Sequence, residues 1–355
     1  MKSVLVVVTR QIGDVLLTTP LVHEARRLWP HARITVLGFA GTLGMLQGNP
    51  DVDECLQVPA RLGAGGAWRL MRQLWRRYDL ALVADPGDRA HILGWIAART
   101  RSGLLPADSS GRWFKRSLLA HAVQSAGDLS PEHVVAEKLR LLTPWRGDGA
   151  AAADPRVIGP ASVVLPPALA AQLRGGYVVM HSPSMWPYKQ WPLEHFRELA
   201  QRLVAAGRQV VLTGSGGKHD RACVAAVAEA GPADAVVDAG VLSFGQLAGL
   251  IRGAALYIGP DTSVSHLAAA CDVPVLAIFG PTNPQRWGPW PGAQAPRFER
   301  QALSQTVGRI TLVQAQLPCV PCGKAGCEDH RQSRSDCLRA ITPQRVAAEA
   351  LRLLA

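Results

Sequence analysis

Short runs of β-branched and aliphatic residues alternate along this chain with longer stretches in which apolar positions recur every three or four residues. In the first half, residues 4–8, 34–37 and 80–84 predict strands, while 15–29 and 67–78 predict amphipathic helices between them. The second half repeats the theme, with strands at 177–181, 209–213, 255–258 and 275–279, and helices over 193–206, from near His219, and over 263–271. Alternation of this kind builds parallel βαβ units, so each half reads as a doubly wound α/β sheet. No window approaches the roughly 18 uninterrupted apolar residues of a membrane span. With no signal-peptide pattern at its start, the chain is expected to be cytoplasmic.

Residues 144–176 are rich in Ala, Pro and Gly, which interrupt long elements and suit a connection. The expected organisation is a lobe over 1–160, a second over 161–340, and a closing helix over 341–355 that packs back on the first lobe. Thr342 is placed to cap that helix and Pro343 to open it. A chain of 355 residues, 48% of them hydrophobic, can bury a core in each lobe.

Ligands of such sheets bind beyond the carboxyl ends of the strands, so the residues that follow each strand carry the chemistry. Neither half contains G-x-G-x-x-G, which argues against a nicotinamide or flavin oxidoreductase. Arg10 and Asp14 follow the first strand. At a helix start, Asp14 has two open roles: helix cap, or acceptor of the proton of an attacking hydroxyl. Ser184, Lys189, Trp186 and Trp191 lie between a strand and the next helix. They suit either a diphosphate wall with Lys189 as point charge, or a Trp-rich packing contact. The turn around Gly214 and Asp220 can bring backbone close to a nucleotide and offer a carboxylate to ribose hydroxyls. In Asp261-Thr262-Ser263, hydroxyl residues open a helix whose first amides suit a leaving diphosphate. Asp261 itself would repel phosphate and is assigned to sugar hydroxyls. His266 reads as a diphosphate contact or as a packing histidine.

The formal charge of +11 calls for a negative partner: nucleic acid, an anionic membrane surface or a phosphorylated substrate. No zinc-finger, homeodomain or RRM pattern supports nucleic acid. Arg61, Arg69, Arg72, Arg76 and Arg77 fall in a window without acids, interleaved with Trp68, Leu70, Met71, Leu74 and Trp75, and Arg112 to Arg116 repeat the flavour. Such a face suits anionic lipid and acceptor phosphates, or is a solvated surface over an ordinary core. Cys319, Cys322, Cys327 and Cys337 offer four thiols to a structural zinc ion or stand as reduced cysteines.

Together these blocks resemble glycosyltransferase family 9, the ADP-heptose:lipopolysaccharide heptosyltransferases. Ile12-Gly13-Asp14-Val15-Leu16-Leu17-Thr18-Thr19-Pro20 is similar to the family's N-terminal motif, whose Asp is the proposed base. Lys189-Gln190-Trp191-Pro192 resembles its Lys-x-Trp-Pro motif, and Asp261 through Ala270 its donor motif. His133-Val134-Val135 and the cysteine cluster have counterparts in the heptosyltransferase III and Q types. The resemblance implies a GT-B fold, with two Rossmann-like doubly wound lobes facing a central cleft. It implies an ADP-L-glycero-D-manno-heptose donor, held by Ser184, Lys189, Gly214 and Asp220 together with Asp261, Thr262, Ser263 and His266. Inversion at the anomeric carbon follows, with Asp14 as base and no metal or other cofactor in catalysis. The implied acceptor is the phosphorylated lipid A–core, contacted by Arg10, Arg61 and Arg72, with peripheral contact to the inner face of the inner membrane. Met185 stands where many relatives carry Arg, which removes a bidentate phosphate contact. That departure leaves open another nucleotide sugar or acceptor, or a non-catalytic nucleotide-sugar-binding protein.

Overall fold

The computed structural model describes residues 1–59, 61, 63–108, 112–147, 154–290, 292 and 297–355; of the expected connection over 144–176, residues 148–153 lie outside the described residues. The chain divides into two compact units, Met1–Pro160 and a second that begins at Ala161.

The first unit is built on strands β1 (Ser3–Val8), β2 (Arg33–Phe39), β3 (Glu54–Val58), β4 (Tyr78–Val83), β5 (Ala98–Leu105) and β6 (His121–Gln124). They form one sheet in the order β3-β2-β1-β4-β5-β6, every pair parallel. Val4 to Val8 are fully buried, as a central strand covered on both faces requires. The helices are α1 (Ile12–Leu16), α2 (Thr19–Leu28), α3 (Ala64–Leu74), α4 (Asp88–Ala97), α5 (Arg112–Ser117) and α6 (Val134–Leu139). Leu74 of α3 and Ala90, Leu93 and Ala97 of α4 share a core with Leu5, Val7, Ala81 and Val83, so both helices cover the same sheet face.

The single helix expected over 15–29 is two helices. Pro20 has no N–H to give to Leu16, and the Thr19 hydroxyl donates to the Leu16 carbonyl instead, at 2.7 Å. The chain turns at Leu17-Thr18, and that break shapes the surroundings of Asp14.

The second unit holds β7 (Val178–His181), β8 (Val210–Gly214), β9 (Val236–Val241), β10 (Leu256–Pro260), β11 (Val275–Ile278), β12 (Ser304–Val307) and β13 (Ile310–Val313). Their order is β12-β13-β11-β10-β7-β8-β9, parallel except for the edge strand β12. The helices are α7 (Pro167–Ala170), α8 (Leu193–Ala205), α9 (Lys218–Ala228), α10 (Phe244–Arg252), α11 (Ser263–Ala270), α12 (Pro284–Trp287), α13 (Asp336–Arg339) and α14 (Pro343–Leu354). Thr342 caps α14 by accepting from the Arg345 amide. Val346, Ala347 and Ala350, its apolar face, belong to the core of the second unit, and α14 packs on α8.

In each sheet the order of the parallel strands reverses beside the first strand. The chain moves outward from β1 through β2 to β3 and then crosses to β4 on the other side of β1; it does the same from β7 through β9 to β10. Loops leaving the carboxyl ends at such a point diverge and open a crevice. Among the described residues, no helix is long and apolar enough to cross a membrane.

Candidate functional site

In the first unit the reversal falls between β1 and β4. Asp14 follows β1 and sits in the middle of α1, whose N-cap is Gln11. Capping therefore does not explain this carboxylate. Its side chain is 15% exposed and faces the Arg10 guanidinium at 3.5 Å. Because α1 ends so early, the Asp14 carbonyl takes two side-chain donors, the Thr18 hydroxyl at 2.6 Å and the Lys138 ammonium at 3.0 Å. Lys138, from α6, also donates to the Thr18 hydroxyl at 2.8 Å. Burial pulls its pKa down to about 8, only partly opposed by the Asp14 and Asp85 charges.

Asp85, which follows β4, joins the two loops at this rim. It accepts from the Thr9 amide and hydroxyl at 3.1 and 2.6 Å, and from the Gly87 amide at 2.8 Å. Neither Asp85 nor Lys138 is singled out in the sequence reading. Asp85 was legible by the rule applied elsewhere, since it stands directly after a predicted strand. Lys138 is distant in sequence and carries no local signal.

The three arginines expected to meet an acceptor are scattered. Arg10 is beside Asp14, and Arg61 follows the outermost strand β3, two strands from β1. Arg72 is in the last turn of α3, which must bring the chain back to the start of β4. It therefore lies toward the sheet end opposite Asp14, a turn away from Arg76, which donates to the carbonyls of Ile96 at the end of α4 and Ala98 at the start of β5.

In the second unit the reversal falls between β7 and β10, and the loops that follow these strands carry Lys189 and Asp261. The Lys189 ammonium meets the Asp261 carboxylate at 2.7 Å. Burial pushes the Asp261 pKa up, but Lys189, with His266 and the Thr282 hydroxyl, outweighs it and the carboxyl is held below its ordinary value. Thr282, after β11, is a further site residue that sequence reasoning missed, although it too follows a predicted strand. Thr262 is the N-cap of α11 but its hydroxyl makes no capping bond. The Ser263 and Val264 amides belong to the helix's first turn, which has no preceding carbonyls to bond. Buried His266 lies one turn further along.

Other expected donor contacts have local structural tasks. The Ser184 amide donates to the Gln190 side chain at 2.9 Å and its hydroxyl to the Trp186 carbonyl at 3.3 Å. Asp220 accepts from the Ser215 amide at 2.9 Å and so holds the glycine-rich turn. A Cβ on Gly214 would come within 2.9 Å of Val224, so α9 packing requires the glycine there. Trp191 is no diphosphate wall: it is fully buried against Phe196 and donates to the Ile341 carbonyl at 2.9 Å. Met185 is exposed. The four C-terminal cysteines carry no disulfide. Burial, with the other three thiols nearby, pushes Cys337 up to about 12. Among the described residues, no group of three or more His, Cys, Asp or Glu is gathered as metal ligands would be.

Two parallel α/β units of this topology have the GT-B fold of nucleotide-sugar-dependent glycosyltransferases. The sequence profile of glycosyltransferase family 9 (heptosyltransferase) matches residues 67–299, well over half of the chain, and the protein belongs to that family of enzymes. It is 29% identical to lipopolysaccharide heptosyltransferase 3 of Escherichia coli, over 78% of this chain and 83% of that one. It is 28% identical to lipopolysaccharide heptosyltransferase 1 of Pseudomonas aeruginosa, over 98% and 96%. An E. coli heptosyltransferase solved with ADP-2-deoxy-2-fluoro heptose superposes with a TM-score of 0.70 at 19% identity, covering 99% of each chain.

Proposed function

We propose that this enzyme transfers heptose from ADP-L-glycero-D-manno-heptose to the inner core of lipopolysaccharide, with inversion and without a catalytic metal. The observation that carries this reading is the Lys189–Asp261 pair at the strand-order reversal of the second sheet, beside the first turn of α11. The names of the relatives, lipopolysaccharide heptosyltransferases 3 and 1, and the ADP-2-deoxy-2-fluoro heptose of the E. coli structure support the donor and acceptor.

The second unit takes the donor. Lys189 and the α11 amides lie where negative charge develops on the departing ADP, and they need no reorganisation to stabilise it. Asp261, aligned by Lys189 and Thr282, accepts from heptose hydroxyls. The first unit takes the acceptor, with Asp14 as base. As the acceptor oxygen bonds to the anomeric carbon, its proton passes to the Asp14 carboxylate and the bond to the ADP oxygen breaks. A single displacement of this kind inverts the anomeric carbon.

The test is transfer by purified enzyme to heptose-deficient lipopolysaccharide, with ADP-heptose, UDP-sugars and GDP-sugars compared. The expected result is one heptose added from the ADP donor only, unaffected by EDTA, with the anomeric configuration reversed. Transfer from a UDP- or GDP-sugar instead, or retention of configuration, would overturn the reading.

A further inference from the structure

The cysteine-rich segment 319–337 has no task in the proposed transfer, yet it is bonded to both loops that converge on Asp261. On the β11 side, the Gly323 amide donates to the Pro281 carbonyl at 2.9 Å, next to Thr282. Gly280 in the same loop admits no side chain, because a Cβ there would lie 2.7 Å from Leu338 of α13. On the β7 side, buried Ser335 donates its hydroxyl to the Tyr188 carbonyl at 2.6 Å, and the Arg331 guanidinium lies 4.8 Å from the centre of the Trp186 ring.

Ser335 is the N-cap of α13, a position where serine ordinarily accepts from an amide of the first turn, but its side chain makes no capping bond. The hydroxyl goes instead to a carbonyl 147 residues earlier in the chain, in a single 3-10 turn, Pro187–Lys189, that ends on the donor-site lysine. Within that turn the Lys189 amide donates to the Trp186 carbonyl at 2.9 Å. So short a turn does not hold itself in water and depends on bonds from outside. Lys189 is one peptide from the Tyr188 carbonyl, so a fixed carbonyl fixes the root of the lysine side chain. Cys327 brackets Ser335 in turn: its amide donates to the Arg334 carbonyl at 2.9 Å, and its sulfur accepts from the Asp336 amide at 3.4 Å.

We propose that Ser335, held by Cys327, is a positioning residue for donor binding that acts through Lys189. It touches no donor atom. Its bond to Tyr188 fixes the backbone from which the Lys189 ammonium reaches Asp261 at 2.7 Å, so that the charge stands in place before the donor arrives. A flexible lysine ordered in advance loses less freedom when an anion binds, and it remains aligned as charge develops on the leaving group. This role rests on the reading of Lys189 as a donor contact.

Calorimetric titration of the full chain with ADP, paired with donor kinetics, tests it. Ser335→Ala is expected to weaken ADP binding and lower kcat/KM for the donor about tenfold each, the size of one lost hydrogen bond, with melting temperature little changed. Cys327→Ala, at an exposed position, should act in the same direction by about threefold, and it carries the comparison if Ser335→Ala does not fold. In a Lys189→Met background, itself weaker for ADP, neither substitution should add a further loss, because the residue they position is gone. A serine that merely supports the fold would lower affinity equally in both backgrounds. Full ADP affinity in both single variants, or an equal loss with and without Lys189, would overturn the proposal and leave the donor reading standing. Unchanged ADP affinity in Lys189→Met would overturn that reading and the proposal with it.

Discussion

Replacing Lys138 by methionine separates what this buried ammonium costs from what it does. Only 2% of the residue is exposed, and its pKa falls from 10.5 to about 8, so the charged form is disfavoured by roughly 3 kcal/mol relative to the amine. Methionine fills similar volume without that charge, and the Asp14 carbonyl keeps the Thr18 hydroxyl as donor. The expected stability of Lys138→Met is within about 1 kcal/mol of the parent, or above it. Transfer should suffer, because the tie that fixes the short Asp14 helix is gone; a 10- to 100-fold fall in kcat with donor KM little changed is about the size expected for a misplaced base. A second signature is pH dependence. The folded pKa lies below the unfolded one, so the unfolded chain binds more protons between about pH 8 and 10.5, and parent stability gains from this group as pH rises through that window. The variant should lack that gain. Urea unfolding at several pH values and steady-state kinetics measure both effects. A variant destabilised by several kcal/mol, or one with full kcat, would refute the reasoning.

Three further outcomes follow from the second unit. Lys189→Met leaves Asp261 buried without its main counter-charge and should cost about 3 kcal/mol by denaturant unfolding. Adding Asp261→Asn should restore stability but not donor binding by calorimetry. His181 is buried beside Thr213, and burial lowers its pKa from 6.5 to about 4. Its neutral form therefore supports the fold above pH 6.5, and about 3 kcal/mol is lost as pH falls from there through 4, a loss that His181→Asn should remove from the unfolding profile. Gly214→Ala should lower stability by about 1–3 kcal/mol through its clash with Val224, while donor KM of the folded enzyme stays unchanged.

The alternation of β-branched runs and amphipathic stretches made the two sheets legible, because a buried parallel strand such as β1 must be apolar throughout. Edge strands were not. β3 alternates between half-buried and exposed positions up to Val58, and β12 is only partly buried, so neither produces an apolar run. Motifs directly after central strands, Asp14 and Asp261, were readable because topology puts strand ends at the rim. Asp85 and Thr282 obey the same rule but lack a distinctive local pattern. Lys138 reaches Asp14 from α6, and nothing local in a sequence announces a contact across that separation. Trp191 misled for the opposite reason: an indole in a polar loop reads as exposed, yet its N–H has found a buried carbonyl.

Asp14 as the proton acceptor is the centre of the proposed mechanism, and transfer by Asp14→Asn measured alongside donor affinity is the direct test. Asparagine keeps the shape and removes the basicity, so donor binding should be unchanged and the transfer rate down by about 10³-fold. An Asp14→Asn enzyme within a few-fold of the parent rate would contradict it.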